Sequence, residues 1–287
     1  MATLRSDLRT ETRSLINEPV ERAVLDTDLN RWLTAAVRDF TSRVQQYERI
    51  VALGVTANKG DYSLPTDILK LNMLRFQEKY RVEVVDYSKW AASTFYNANP
   101  IGIPSVAVLS PHDKILRLYA PPSVTSPATT LSGAHNSSVT TLTVASTTGF
   151  PKSGYLLLAG GEQVHYENIS STQFLLCRRG DADTTPGTYV GGEAVTEGRA
   201  VLFTCAIPPE LTDDITAIKF PDAWMQALPM FMSWRSELKR QRQKEADFFR
   251  SEYMRIREEA AAELFWKAND GSPAVHDEES MGWYGQT

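Results

Sequence analysis

Residues 120–151 read APPSVTSPATTLSGAHNSSVTTLTVASTTGFP, and not one of them is Asp, Glu, Lys or Arg. Ser, Thr and Gly alternate there with apolar residues, the composition of short strands and turns. Pro121-Pro122 opens the stretch, and Pro208-Pro209 follows the exit of the wider β-like region. Charge-dense sequence with helical periodicity lies on both sides. The pattern reads as a β module inserted into a host domain whose parts lie at both chain ends, an α+β fold overall. Enzymes are built this way, and so are assembly parts that need a separate surface.

Working outward, the N-terminal side is helical. Leu4, Leu8, Glu11, Leu15 and Ile16 outline a first helix, its other face covered by Arg5, Arg9 and Arg13, and Pro19 breaks it. Asp26 and Thr27 are candidate N-caps for a second, in which Leu29, Leu33, Ala36, Val37, Phe40, Val44 and Tyr47 recur at steps of three and four. The period then falls to two. Val51–Val55 predicts a strand, Asn58–Asp61 a turn and Tyr62–Leu64 the return. Ile68–Phe76 and Arg81–Val85 predict two strands about Gln77-Glu78-Lys79, and Tyr87–Tyr96 a short helix. Ile115–Ala120 and Arg199–Ala206 are strands that we expect to pair as a hairpin with the whole module as its loop. A long insertion there costs only about 0.6 kcal/mol per doubling of loop length. About five short strands are expected inside the module. Pro221 fits the first turn of a C-terminal helix. Trp224, Leu228, Phe231, Trp234 and Leu238, then Phe249, Tyr253, Ile256, Ala260 and Leu264, form apolar stripes either side of the basic passage Lys239–Lys244. One long helix and two shorter ones fit equally.

Composition narrows function. The 287 residues with 42% hydrophobic content can bury a core, and a net charge of -5 argues against a freestanding nucleic-acid binder. It leaves room for a channel wall that avoids tight phosphate contacts. Cys177 and Cys205 make no disulfide framework, and no apolar signal region or bilayer-length run is present. There is no phosphate-binding Gly-rich loop and no Gly-x-Ser-x-Gly elbow. His112, His135, His165 and His276 are scattered, with no metal-ligand spacing, so neither metal nor cofactor is expected. The best enzymatic case is a carboxyl pair, Glu162 and Glu167, around His165 and Tyr166. Opposite parity on a strand places the two on opposite faces, and such carboxylates are usually solvated. The basic passage Arg235–Lys244 reads as a solvated helix face, with Glu237 and Glu245 as helical ion-pair partners. The end of the chain differs. Asp277, Glu278 and Glu279 precede Met281, Trp283 and Tyr284, an aromatic pair with no core of its own, and aromatics are the commonest interface hot spots.

The order of short motifs is recognisable. Thr27-Asp28-Leu29-Asn30-Arg31-Trp32-Leu33 opens the second helix. Tyr62-Ser-Leu-Pro65 and Ile115-Leu-Arg-Leu-Tyr-Ala-Pro-Pro122 follow, then Leu211-Thr-Asp-Asp214 and Phe220-Pro-Asp-Ala-Trp224. This resembles the head-to-tail adaptor (connector) proteins of tailed bacteriophages, over nearly all of the chain outside 123–198. The insert is similar to a small β module of phage structural proteins, through Gly149-Phe150-Pro151, Gly154-Tyr155, Gly161-Glu162, His165-Tyr166 and Arg179-Gly180. The resemblance implies a helix-bundle core in two parts, 1–122 and 199–268, an inserted β domain at 123–198 and a tail at 269–287. It further implies a virion protein at the head–tail junction, made in the host cytoplasm and assembled as a homo-oligomeric ring, usually a dodecamer, beneath the portal protein. Such a ring extends the channel for double-stranded DNA, without sequence specificity, and presents a surface to the next tail component (nozzle, tail tube or terminator). The portal-docking residues would be Asp277, Glu278, Glu279, Met281, Trp283 and Tyr284. No membrane partner and no enzymatic activity are expected. The alternative is a glycan-recognising tail or cell-surface protein that uses the β insert.

Overall fold

The computed structural model describes residues 3–45, 47–91, 101–208, 214, 218 and 220–269. The fold is α+β, in two compact units: residues 1–46 with 207–287, and residues 47–206. Five α-helices occur among the described residues: α1 (Arg5–Leu15), α2 (Asp26–Val44), α3 (Tyr87–Ala91), α4 (Ala227–Lys239) and α5 (Gln243–Asn269).

The first unit is built by α1, α2, α4 and α5. Leu8, Leu29, Trp32, Phe40, Leu228, Phe231, Met232, Tyr253 and Ile256 share its core. The helix starts differ from expectation. Leu25, not Asp26 or Thr27, occupies the N-cap of α2, and Asp28 one turn in accepts the Leu25 N–H at 3.3 Å. Asp7 does the same for Leu4 at 3.0 Å in α1. An acid at the third position thereby satisfies an orphan donor that leucine cannot. The arginine face of α1 is paired rather than solvated: Arg5 and Arg9 reach Asp214 at 2.6 and 2.7 Å, and Arg13 reaches Asp26 at 2.5 Å. Pro221 precedes a 3-10 turn (Asp222–Trp224), and α4 starts only at Ala227. The C-terminal stripe is two helices. Gln241 adopts a left-handed φ of 61° and ends α4, with the Arg240 N–H returning to the Ser236 carbonyl.

Among its described residues the second unit holds fifteen strands: β1 (Glu48–Leu53), β2 (Asp61–Ser63), β3 (Ile68–Phe76), β4 (Tyr80–Val84), β5 (Val106–Leu109), β6 (Ile115–Tyr119), β7 (Ala128–Thr130), β8 (Thr141–Thr143), β9 (Gly154–Leu158), β10 (Gln163–Tyr166), β11 (Asn168–Ile169), β12 (Gln173–Leu175), β13 (Arg178–Asp181), β14 (Ala194–Glu197) and β15 (Ala200–Ala206). They form a seven-stranded sheet ordered β1-β15-β3-β4-β5-β6-β2, a five-stranded sheet β13-β10-β9-β14-β7 and a three-stranded sheet β11-β12-β8.

Two pairings depart from the sequence reading. β15 does not pair with β6; it runs antiparallel between β1 and β3, while β6 lies between β5 and β2. Nor does β2 return along β1. The physical reason is coverage. Six of the seven β15 residues are buried, the mark of a central strand covered on both faces, whereas β6 alternates. Ala200 and Leu202 face the core of the large sheet. Val201, with Phe203 of β15 and Ile50 and Ala52 of β1, packs against Tyr155 and Leu157 of β9. The eight strands β7–β14 exceed the five expected because several have only two or three residues, too short to show alternation. Their own core holds Leu142, Phe150, Leu156, Val164, Tyr166 and Phe174. Where this region returns to β15, a Cβ on Gly198 would lie 2.6 Å from the Cβ of Ala52 and 3.1 Å from that of Tyr155. Only glycine permits that approach.

Candidate functional site

The carboxyl pair singled out in the β region is not a pair. Glu167 is exposed, while Glu162 is 2% exposed and fully engaged. The Glu162 carboxylate accepts from Arg179 Nε at 2.6 Å and Nη2 at 2.9 Å, from the Gly180 N–H at 3.2 Å, the Gly187 N–H at 2.8 Å and the Tyr189 hydroxyl at 2.8 Å. Burial works to raise its pKa. The Arg179 hydrogen bonds, helped by Gly187 and Tyr189, outweigh burial and hold the carboxyl below its ordinary value. Burial, with Glu162 alongside, pushes the Tyr189 phenol up to about 12. Arg179 also donates to the Asn136 and Gly187 carbonyls and lies over the Tyr189 ring, 5.6 Å from its centroid. Every lone pair is committed, so this is an ion pair that locks loops together rather than an acid poised to exchange protons. The expectation that Glu162 is solvated therefore fails, because its donors arrive from β13 and the segment after it, 17 to 27 residues downstream.

Of the four histidines, His276 lies outside the described residues and the other three sit in structural surroundings. His135 is buried, its Nε2 accepting the Thr143 N–H at 2.9 Å, which leaves Nδ1–H to donate to the Gly133 carbonyl at 3.0 Å. The His165 ring meets the Tyr155 ring at 5.0 Å, and His112 sits exposed beside Asp113. Cys177 and Cys205 are free and buried, and burial pushes the Cys177 thiol up to about 11. Among the described residues no cluster of three or more His, Cys, Asp or Glu could hold a metal ion, and no helix is long and apolar enough to cross a membrane.

The basic passage is largely an intramolecular clasp. Lys239 bonds Asp28 at 2.5 Å, and Arg240 donates to the Ile16 carbonyl at 2.6 Å and to Glu237 at 2.8 Å. Glu237 forms the expected helical ion pair, but from a buried position.

The open concavities include one in each unit. One, of about 400 Å³, lies in the second unit where β3 parts from β4, between Leu69–Asn72 and Val84–Tyr87. The other, of about 640 Å³, lies between α2 and α5 over α4, with Trp32, Phe231, Trp234, Tyr253 and Met254 on its walls. Asp39 within it is bound by Arg257 at 2.7 Å and by the Tyr253 hydroxyl at 2.5 Å. Trp234 carries a guanidinium on either flank: Arg235 at 5.8 Å and Arg250 at 5.6 Å from the ring centroid. The sequence reading put Trp234 in the apolar stripe of its helix, and it does pack against the core of this unit, but the guanidiniums on its ring were missed. The overlooked signal was the arginine beside it and another one helix later.

The six residues expected to dock a partner, Asp277, Glu278, Glu279, Met281, Trp283 and Tyr284, lie outside the described residues, as does 92–96 of the helix expected at Tyr87–Tyr96. No curated protein matches the sequence. The SU10 adaptor protein family matches residues 3–166, a span that takes in α1, α2, the first six strands and the β region through Tyr166. The likeness thus extends into the stretch that the motif reading had set apart as an insert. With more than half of its length matched in one continuous run, the chain belongs to the SU10 adaptor protein family and is a phage head–tail adaptor.

Proposed function

We propose that this adaptor assembles as a homo-oligomeric ring, a dodecamer, beneath the portal, extends the DNA channel and joins head to tail without catalysing a reaction. The observation that carries the reading is the family match over residues 3–166. A ring gives a helix-bundle core, split between 1–122 and 199–268, a second set of apolar neighbours. The 123–198 module then serves as an inserted domain, and the tail from 269 engages the portal through Trp283, Tyr284, Met281 and the acids Asp277, Glu278 and Glu279. The net charge of -5 suits a channel wall along which DNA slides.

The test is co-sedimentation with the portal ring encoded in the same genome, using the full chain and a chain ending at Lys267. Saturable binding by the full chain and a loss of at least tenfold in the shortened one is expected. Equal binding by both would remove the tail from the interface, and binding by neither would end the adaptor-to-portal reading.

A further inference from the structure

We propose that the groove between α2, α4 and α5 is a seat for this chain's own C-terminal segment, Asp277–Tyr284. The inference needs neither a ring nor a portal.

The groove has two chemically distinct parts. Its walls are aromatic and thioether surface from Trp32, Phe231, Trp234 and Met254. Its inner charges are already neutralised, since Arg257 and the Tyr253 hydroxyl both bond Asp39. At the rim, Arg235 and Arg250 are exposed and flank Trp234, and neither has a carboxylate within salt-bridge distance among the described residues. Arg31, which also lines the groove, holds Asp28 at 3.5 Å, and the exposed Arg43 and Arg255 of this unit each hold an acid. An occupant must therefore bring an apolar, preferably aromatic, element for the walls and negative charge for the rim.

The segment from 277 to 284 brings both: Asp277, Glu278 and Glu279, then Met281, Trp283 and Tyr284. An indole or phenol inserted beside Trp234 would stack on apolar surface, and the three acids would lie in the field of two unpaired guanidiniums. The chain is long enough. Arg257 at the groove and Asn269 at the end of α5 are twelve residues apart, about 18 Å of helix. The twelve positions from Asp270 to Met281 reach up to about 40 Å when extended. The segment can turn back along α5 to the groove of its own molecule, the acids being the tighter fit: Glu279, ten positions past Asn269, extends about 33–36 Å, against about 28 Å of helix from Asn269 back to Arg250. If it also docks on a portal, the groove is the site it leaves.

The test uses the full-length protein with Trp283→p-benzoylphenylalanine, irradiated over a hundredfold dilution series, with crosslinked peptides read by mass spectrometry. The expected result is a dominant crosslink to peptides carrying Trp234 or Met254, at a yield independent of concentration. Arg235→Glu with Arg250→Glu should cut that yield at least tenfold, and adding Glu278→Arg with Glu279→Arg should restore it. An excess of the synthetic peptide 277–287 should compete, while a scrambled peptide of equal charge should not. Crosslinks concentrated elsewhere would overturn the proposal, as would a yield proportional to concentration (a neighbouring copy's groove) or indifference to the charge reversal.

Discussion

Glu162 in the β unit and Glu237 in the helical unit are each 2% exposed, yet their carboxyls are displaced in opposite directions. Burial acts on both. Around Glu162 it is overcome by an arginine fork, backbone N–H groups and a phenol, and the acid is held low. Around Glu237 burial prevails: Arg240 bonds one oxygen, Oε2 has no hydrogen-bond partner among the described residues, and the pKa is raised. The difference lies in where donors come from. A helix commits its backbone N–H groups to itself, so an acid on its buried face depends on side chains alone, whereas turns leave N–H groups free to converge. Glu18 confirms the rule within the helical unit. It sits in the loop between α1 and α2, accepts the Arg22 and Val24 N–H groups at 3.0 Å each, and is held low at 5% exposure.

The comparison breaks most sharply at Arg179. Arg179→Ala strands Glu162 in a dry site, and we expect a loss of about 3–5 kcal/mol. Hydrogen exchange should show it as early opening of β9, β10 and β13. Protection there within about 0.5 kcal/mol of the parent would mean that the network contributes little. Glu237→Gln removes a charge that is already poorly served, and its cost should stay below about 1 kcal/mol, read from exchange of the α4 amides. A loss as large as that of Arg179→Ala would erase the distinction between the two sites.

The smallest effect is in the pH response, where the signs differ. Glu162, lowered from 4.5, contributes stability that is complete above that value and is lost as pH falls through its folded value. Glu237, raised from 4.5, binds its proton more readily when folded, so its contribution grows as pH falls from the folded value towards 4.5. Glu78 and Glu197 in the β unit share that second sign, driven first by burial. We therefore expect α4 amide protection to rise more between pH 7 and 4.5 in the parent than in Glu237→Gln. Parallel profiles would show that Glu237 does not titrate in that range.

Much of this fold was legible because helices announce themselves by period: the stripes through Leu29–Phe40 and Trp234–Ile256 became α2, α4 and α5. Strand pairing was not legible, since alternation reports one strand's exposure and not its neighbour. The apolar run Ala200–Phe203 did mark a strand covered on both faces, but nothing in it named β1 and β3 as the neighbours. Glu162 was misread because spacing within one strand says nothing of donors at Arg179, Gly187 and Tyr189. The groove was invisible for a related reason. Trp234 and Arg250 are sixteen positions apart, and only the sharp turn at Gln241 brings their helices side by side.

Gly198 has a mechanical consequence. With no room for even a methyl group between Ala52 and Tyr155, the return from β14 to β15 is a clamp and not a swivel. A pull on the β7–β14 region is carried into β1 and β15 as shear across interlocked apolar surfaces. The region behaves as a bracket fixed to the large sheet, able to pass on torque that a tethered domain would dissipate in its linker.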